Sequence, residues 1–305
     1  MDGFSKKKYL IITAGATGAG KSGLINETLK ELGIYHDEYA KILVDDLVEN
    51  DPKYKIKVKN IITKVKTVCD MDPGCIEHAY NNPRDFAASH SVNLLQDFGD
   101  SYFAVRKSKG CGTSDSNDYS VPSCDDLNDQ ILKDAVATNK NVIFESTGSY
   151  IPSWLLNEEY VNPNYNIVVS YTLVSLRRLI ERNKSRAIKS IQDFEKDYTK
   201  PAPRLPDISD ENFSKAVLLI KTTLIDLFNS CIQNYETNKQ KCGEKKIDRL
   251  LLFDNNGPKM IKIYDSVIDT DISKSSFIKM IDDQFGYISS GGTNKRRTNK
   301  RRRRR

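Results

Sequence analysis

The chain has 305 residues, enough for one large α/β domain or two small ones. Its 38% hydrophobic and 29% charged residues are ordinary for a globular protein. No apolar run approaches the roughly 18 residues of a membrane span, so we expect no membrane partner. The formal charge of +6 arises at the C-terminus, since nine basic residues lie between 295 and 305.

The N-terminus and the cysteines both favour a cytoplasmic protein. Three lysines precede a short apolar stretch that runs into glycine-rich sequence without a cleavage-type site. In a chain of this length without an export signal, we expect the six cysteines to be reduced thiols. Cys69, Cys75 and His78 fit no standard zinc spacing, so we expect no metal site there.

The first predicted elements are a strand, a helix and a second strand. Residues 9–14, YLIITA, form an apolar, β-branched run that indicates a buried strand. Residues 21–32 carry apolar side chains at helical spacing, and a glycine ends this helix. A short strand is predicted at 40–44, and Asp45 and Asp46 follow it.

The middle of the chain has weaker patterns. Residues 53–68 alternate lysine with aliphatic side chains, and we favour a helix over a strand. The next predicted elements are a helix at 83–106, a loop at 110–124 and a helix capped by Ser123 that extends to 138.

The second half of the chain alternates strands with helices. This order implies an α/β fold, with a parallel sheet of about five strands and helices on both faces. Ligands of such sheets bind at the carboxyl ends of the strands. The predicted elements are strands at 141–144, 166–174 and 250–253, helices at 175–194, 209–235 and 272–285, and a proline-broken stretch at 201–206.

A phosphate-binding motif follows the first strand. The sequence GATGAGKS matches G-x-x-x-x-G-K-[ST], in which glycines let backbone N–H groups approach phosphate oxygens. The lysine reaches the β- and γ-phosphates, and the serine hydroxyl ligates Mg²⁺. No N-K-x-D tetrapeptide of a GTP-binding switch is present. We predict that ATP or GTP binds with Mg²⁺ at Gly15, Ala16, Thr17, Gly18, Ala19, Gly20, Lys21 and Ser22.

An ordered set of segments resembles the zeta-toxin family of P-loop kinases. The resemblance covers most of residues 8–265 and matches 55–130 poorly. It implies a P-loop NTPase or kinase fold and transfer of a phosphoryl group to a sugar hydroxyl of UDP-N-acetylglucosamine or a related acceptor. The segments are GATGAGKS at 15–22, ILVDDLVENDPKY at 42–54, VIFESTG at 142–148, SLRRLIERNKSR at 175–186 and LLLFDNNG at 250–257.

The resemblance also implies roles for acidic residues. Asp45 falls where the family keeps its catalytic aspartate, which accepts the proton of the acceptor hydroxyl, and Asp46 is the alternative. Glu145 and Thr147 match the family's E-G-T, although Ser146 replaces the glycine. Glu145 would hold Mg²⁺ or the acceptor, and the Thr147 hydroxyl would bind the acceptor.

Phosphoryl transfer also needs cations, because negative charge spreads over the moving group. In the resembled family, one arginine lies in the helix after the fourth strand and another lies in the lid that follows. We match these to Arg182 and Arg204, with Arg178 and Arg186 as alternatives.

The predicted organisation is a kinase core at 1–270, in which 55–130 is an insertion or acceptor-side subregion, a C-terminal helix at 271–287 and a disordered tail at 288–305. The basic residues of the tail would bind nucleic acid without sequence preference or direct nuclear import. Two other functions stay open besides a small-molecule kinase. One is a nucleic-acid end kinase whose tail holds the polymer, and the other is a non-catalytic nucleotide-binding module.

Overall fold

The computed structural model describes residues 8–34, 39–114, 120–151, 153–157, 161, 165–243 and 245–286. The predicted tail at 288–305 lies outside these residues. The strands in the described part are β1 (Lys8–Ala14), β2 (Tyr39–Ile42), β3 (Asn141–Ser146), β4 (Tyr165–Leu173), β5 (Arg249–Asp254) and β6 (Ile261–Asp265).

The strands form one sheet in the order β2-β3-β1-β4-β5-β6. The first five strands are parallel, whereas β6 pairs antiparallel with β5. The prediction of a mostly parallel sheet is therefore confirmed, but the predicted number of about five strands omitted β6. This strand is short and partly exposed at the sheet edge, so its sequence lacks the continuous apolar run of a buried strand.

The described helices are α1 (Lys21–Leu32), α2 (Val44–Asn50), α3 (Pro52–Val68), α4 (Pro73–Asn81), α5 (Pro83–Ser89), α6 (Leu94–Lys107), α7 (Cys124–Ala137), α8 (Leu176–Lys196), α9 (Asp210–Asp226), α10 (Tyr235–Cys242) and α11 (Lys274–Phe285), with a short 3₁₀ helix at Ser153–Leu156 and a π-helical segment at Leu227–Gln233. Helices α1, α3, α7, α8 and α11 lie where the sequence predicts them, whereas α4 and α10 were not predicted and α2 begins at Val44, inside the strand predicted at 40–44.

Two predicted helices are interrupted in the structure. The helix predicted at 83–106 is divided into α5 and α6, because His90 is extended and the Asn93 side chain accepts from the Gln96 N–H at 3.3 Å to start a new helix. The helix predicted to reach residue 235 leaves α-helical geometry at Leu227 and continues as the π-helical segment.

Helices cover both faces of the sheet. On one face, Leu24 and Leu29 of α1 pack against strand residues such as Ile11. On the other face, α7, α9 and α11 contribute side chains such as Val217 and Phe277 to the main core. Successive residues of β1 point to opposite faces, which explains why the whole strand is apolar.

A second hydrophobic core lies outside the sheet. It is built from α2 to α6 together with the C-terminal half of α8, and its largest side chains include Tyr54, Phe86, Phe98 and Phe194. We call this part the helical lobe; it contains most of the stretch 55–130. The lobe also includes residues from outside that stretch, such as Val48, Phe194 and Leu205, and the division into core and subregion stays a prediction.

The cysteines are paired, so the prediction of reduced thiols is wrong. The disulfides are Cys69–Cys75, Cys111–Cys124 and Cys231–Cys242, with Cα–Cα distances of 5.0 to 5.5 Å. Each pair is brought together by a helix end or a turn, which the spacing in the sequence does not reveal. Asp51 lies beside Cys111 and Cys124, but both sulfur atoms are bonded to each other and do not offer thiolates to a metal.

One helix among the described residues, Asp210–Gln233, is long and apolar enough by composition to cross a membrane. Its side chains at Phe213, Val217, Ile220 and Leu224 are buried in the main core. An amphipathic helix that packs on a sheet passes the same test, and this packing accounts for these four apolar side chains but not for Leu218 and Leu219, which are exposed.

Candidate active site

The phosphate loop connects β1 to α1 at the carboxyl edge of the sheet. Gly18 and Gly20 have φ angles of 81° and 91°, a conformation that side chains with a Cβ rarely adopt. A Cβ on Gly18 would lie 2.2 Å from the Asn183 amide nitrogen, so space also requires glycine there. The glycine pattern is therefore needed for the backbone path, and α1 begins directly after the loop at Lys21, so the positive end of its dipole lies next to the loop.

Three polar side chains from other elements hold this loop in place. The Asn183 amide donates to the Thr17 carbonyl at 2.7 Å, and the Asn255 amide donates to the Ala19 carbonyl at 2.8 Å. The Thr172 hydroxyl donates to the same Ala19 carbonyl at 3.2 Å. These bonds use backbone carbonyls and do not engage the loop N–H groups, of which the Ala19 N–H donates to the Ala16 carbonyl at 3.0 Å.

Lys21 is largely buried at the base of the loop. Its ammonium lies 3.4 Å from a Glu145 carboxylate oxygen and donates to the Gly15 carbonyl at 3.2 Å. Burial lowers the pKa of Lys21, and the neighbouring Glu145 opposes this effect. A largely buried ammonium beneath the glycine loop is suited to bind a polyphosphate, which would add negative charge to that of Glu145 and the more distant Asp45.

Asp45 lies in the first turn of α2 and is held by two partners. The Tyr102 hydroxyl of α6 donates to one carboxylate oxygen, and the other lies 2.9 Å from Arg204. Arg204 also contacts Glu49 at 2.7 Å. Burial alone would lower the pKa of Arg204, but Asp45 and Glu49 outweigh it and raise that pKa. Burial raises the pKa of Glu49, while Arg204 opposes the shift.

Two adjoining cavities contain the residues predicted from the sequence. The larger, about 540 Å³, is lined by Lys21, Asp45, Glu145 and Thr147, and also by Arg204. The second, about 400 Å³, is lined by Ser22 and Asp46 and shares Asp45, Glu145 and Arg204 with the first. Ser22 and Glu145, the residues predicted to hold Mg²⁺, thus border one cavity, as hydroxyl and carboxylate oxygens that this ion prefers. Asp46 pairs with Lys41 at 3.7 Å and not with Arg204.

The arginines of α8 occupy different positions. Arg182 donates to the Asn255 carbonyl at 2.9 Å, beside the phosphate loop, and is absent from the lining of both cavities. Burial lowers the pKa of Arg182, with a further contribution from Arg178. Arg186 lines both cavities, and within the described residues no hydrogen bond or ion pair engages its guanidinium. A phosphate that enters the cavities would therefore meet a cation without a competing carboxylate.

Sequence reasoning missed several residues that shape the site. Tyr102 and Glu49 hold the Asp45–Arg204 pair, and Asn183 holds the phosphate loop. The sequence contained one signal for Asn183: it directly follows Arg182 and shares the apolar side of α8 with Leu179 and Ala187. Tyr102 and Glu49 carried no signal, because their roles depend on packing within the helical lobe.

The chain is similar to solved structures in fold, while its sequence matches no family model and no curated protein. A solved structure from the PezAT chromosomal toxin–antitoxin system of the human pathogen Streptococcus pneumoniae is similar, with a TM-score of 0.51 and 11% sequence identity. The match covers 92% of this chain and 79% of that chain.

The strand order and the strand–loop–helix junction define a mixed α/β protein with a P-loop-like fold. Within this class, the protein shares its fold with the matched chain from the PezAT system. At 11% identity this similarity shows the fold alone.

Proposed function

We propose that this protein is a distant zeta-toxin-like phosphotransferase. It binds ATP or GTP with Mg²⁺ at residues 15–22 and transfers the terminal phosphoryl group to a hydroxyl of a small acceptor. One observation carries the proposal: the phosphate loop, the candidate base Asp45 and two arginines border the same pair of cavities. Bound nucleotide with Mg²⁺ would supply the phosphoryl group and neutralise its charge.

The residues of the chain bind the phosphates, hold the metal, accept the proton and stabilise the transferring group. The loop N–H groups and Lys21 bind and orient the phosphates, and Ser22 with Glu145 is suited to the metal. Asp45 is positioned to accept the proton of the acceptor hydroxyl, since Tyr102 and Arg204 fix its orientation. We assign Arg204 and Arg186 to the transferring group, while Arg182 supports the segment next to the phosphate loop.

An acceptor screen tests the proposal. Purified protein is incubated with γ-labelled ATP or GTP, Mg²⁺ and a panel that includes UDP-N-acetylglucosamine, small alcohols and oligonucleotide ends. We expect label on a small hydroxyl compound and none with Lys21→Ala, which removes charge at the phosphoryl group. Lys30→Ala at the exposed end of α1 is the control and should keep full activity.

The screen also separates the alternatives. Label on an oligonucleotide end that depends on residues 295–305 would favour a nucleic-acid end kinase. Nucleotide binding without transfer to any acceptor would favour a non-catalytic module. Folded protein that binds neither ATP nor GTP in calorimetry would contradict all three.

A further inference from the structure

A third, smaller cavity adjoins the proposed active site and is mostly apolar. We call it the aromatic slot; its volume is about 170 Å³. Thr17 of the phosphate loop, Arg186 and Arg204 also border it, so it opens toward the site of phosphoryl transfer. Its apolar lining consists of Tyr54, Phe98, Tyr102, Phe103, Leu205 and Pro206.

The slot lies beside a large apolar ring that the protein itself does not cover. Phe103 is 54% exposed although it contacts Tyr102 edge to face, with ring centroids 5.5 Å apart. The neighbouring rings Tyr54 and Tyr102 are buried and meet edge to face at 5.9 Å. An exposed phenylalanine at the wall of an aromatic cavity next to reactive groups is suited to contact an apolar part of a ligand.

A glycine in the middle of α6 provides an independent indication. Gly99 lies one helical turn before Phe103 and borders the slot. Alanine is favoured over glycine in a helix interior, yet a Cβ at this position would meet no atom within 4 Å. Packing within the protein therefore does not require glycine here. Because Gly99 borders the slot, a larger side chain at this position would compete with a ligand for the open space.

The volume limits what can enter. An engineered cavity of about 150 Å³ binds benzene, so a slot of about 170 Å³ matches one six-membered ring better than a fused bicycle. Tyr102 lies between the slot and the candidate base, because its ring lines the slot and its hydroxyl donates to the Asp45 carboxylate. A ring in the slot would thus place a hydroxyl substituent toward the candidate base.

We infer that the acceptor is a hydroxyl compound with a single flat ring, which binds in the aromatic slot between Phe103, Tyr102 and the open surface at Gly99. The inference rests on the proposed function for the reaction, but binding in the slot is measured without nucleotide.

The test uses two fluorinated probes and ¹⁹F NMR titration. 4-Fluorobenzyl alcohol carries one ring, and 6-fluoro-2-naphthylmethanol carries two fused rings. We expect the single-ring probe to bind the wild-type protein and the fused probe to bind at least several-fold more weakly. Gly99→Leu fills the slot and should weaken binding about tenfold to 100-fold, the factor that corresponds to loss of one buried apolar ring.

Two variants control for effects on folding. Gly99→Ala should raise the melting temperature or leave it unchanged, while it weakens the single-ring probe. Gly74→Ala in α4 makes the same change away from the slot and should leave probe binding unchanged. Equal affinity of folded wild type and Gly99→Leu, or equal binding of both probes, would overturn the inference.

The failure of the reaction proposal has a different signature. If the single-ring probe binds the wild type but not Gly99→Leu, and the wild type binds no nucleotide, the ring site is supported and the proposal of a phosphotransferase fails. Conversely, transfer to other acceptors, together with no binding of the single-ring probe, would keep the phosphotransferase and overturn the ring site.

Discussion

The ammonium of Lys21 illustrates how burial tunes a single group. It is enclosed by the phosphate loop and Glu145, and burial lowers its pKa below the ordinary 10.5. The charged form that attracts phosphate is therefore complete below the lowered pKa and disappears as the pH rises through it.

We predict that nucleotide affinity falls at alkaline pH before an ordinary lysine would lose its proton. Calorimetric titration of a non-hydrolysable ATP analogue between neutral pH and pH 10 measures this effect. Lys21→Arg should bind more weakly at neutral pH but lack the alkaline decline, because a guanidinium stays charged throughout. The same alkaline decline in both proteins would assign it to another group.

We predict that Tyr102→Phe slows phosphoryl transfer without changing nucleotide affinity. The change removes the hydroxyl that donates to Asp45 and keeps the ring. A hydrogen bond to a charged group contributes about 1.5–3 kcal/mol, so kcat should fall about tenfold to 100-fold. Asp45→Asn should abolish transfer and retain nucleotide binding.

Tyr165→Phe is the matched control, because its hydroxyl donates to the Lys140 carbonyl at the opposite end of the sheet. This variant should keep its kcat. A Tyr102→Phe enzyme with unchanged kcat would mean that Arg204 alone orients Asp45.

Among individual residues, the sequence predicted those functional side chains and glycines that lie together in one short segment. The glycines and Lys21 of the phosphate loop could be read directly, since their spacing is a property of consecutive residues. The partners of these groups could not. The Tyr102–Asp45 bond joins residues 57 positions apart, and the bonds of Asn183 and Asn255 to the loop span 166 and 236 positions.

Among the elements, α6 and α7 form the wall of the larger cavity and are joined near their ends by Cys111–Cys124. Asp51 strengthens this junction, since its carboxylate accepts from Lys53 N–H and Gly112 N–H at 2.8 Å each. The Lys53 ammonium donates to the Lys109 and Gly110 carbonyls. The ends of α2, α6 and α7 are therefore held together at one point.

We predict that Cys111→Ser with Cys124→Ser lowers the free energy of unfolding by about 3 kcal/mol, as expected for release of a loop of this length. Replacement of Cys231 and Cys242 should cost a similar amount, because the separations are 13 and 11 residues. Urea unfolding measures both. Loss of the 111/124 bond should also weaken acceptor binding, because it joins α6 and α7, whose Arg106 and Asp125 line the larger cavity. Loss of the 231/242 bond should not, because no residue of the elements it joins, Leu227–Gln233 and Tyr235–Cys242, lines either cavity. Equal effects on acceptor binding would contradict this distinction.

Elements with a strong local signal were predicted well, and those fixed by context were not. The strand YLIITA and helix α1 have continuous apolar or periodic patterns. The sixth strand has neither, and its pairing with β5 includes a register irregularity. The break between α5 and α6 likewise depends on how both helices pack into the second core.

At the scale of the whole molecule, the charge distribution separates the body from the C-terminus. Residues 295–305 carry nine basic side chains, and without them 38 basic residues face 41 acidic ones. We propose that this segment contacts nucleic acid or another polyanion without sequence preference.

We predict that deletion of residues 288–305 leaves the thermal stability and small-acceptor transfer unchanged and removes most binding to DNA. Fluorescence anisotropy with a labelled duplex at several salt concentrations measures the binding. In the full chain, affinity should fall steeply with salt, because bound counterions are released. DNA binding that persists after the deletion would place the contact on the body.

The three disulfides also bear on where the protein works. Disulfides persist in oxidising surroundings, so we propose an oxidising compartment as the alternative to the cytoplasmic location expected from the sequence, which stays a prediction. Free-thiol titration of protein isolated from its native source, under alkylating conditions, would decide between the two. Six reactive thiols would favour the cytoplasm, and none would favour an oxidising compartment.

Helix α8 belongs to both hydrophobic cores: Leu179 is buried in the main core, whereas Ile191 and Phe194 are buried in the helical lobe. The two cores otherwise consist of different side chains. Under the proposed function, substitutions in the lobe would alter the acceptor side of the larger cavity, which Tyr102, Phe103 and Arg106 line, and would leave the strands next to the phosphate loop unchanged. Acceptor specificity and nucleotide binding would then be able to change separately among related proteins.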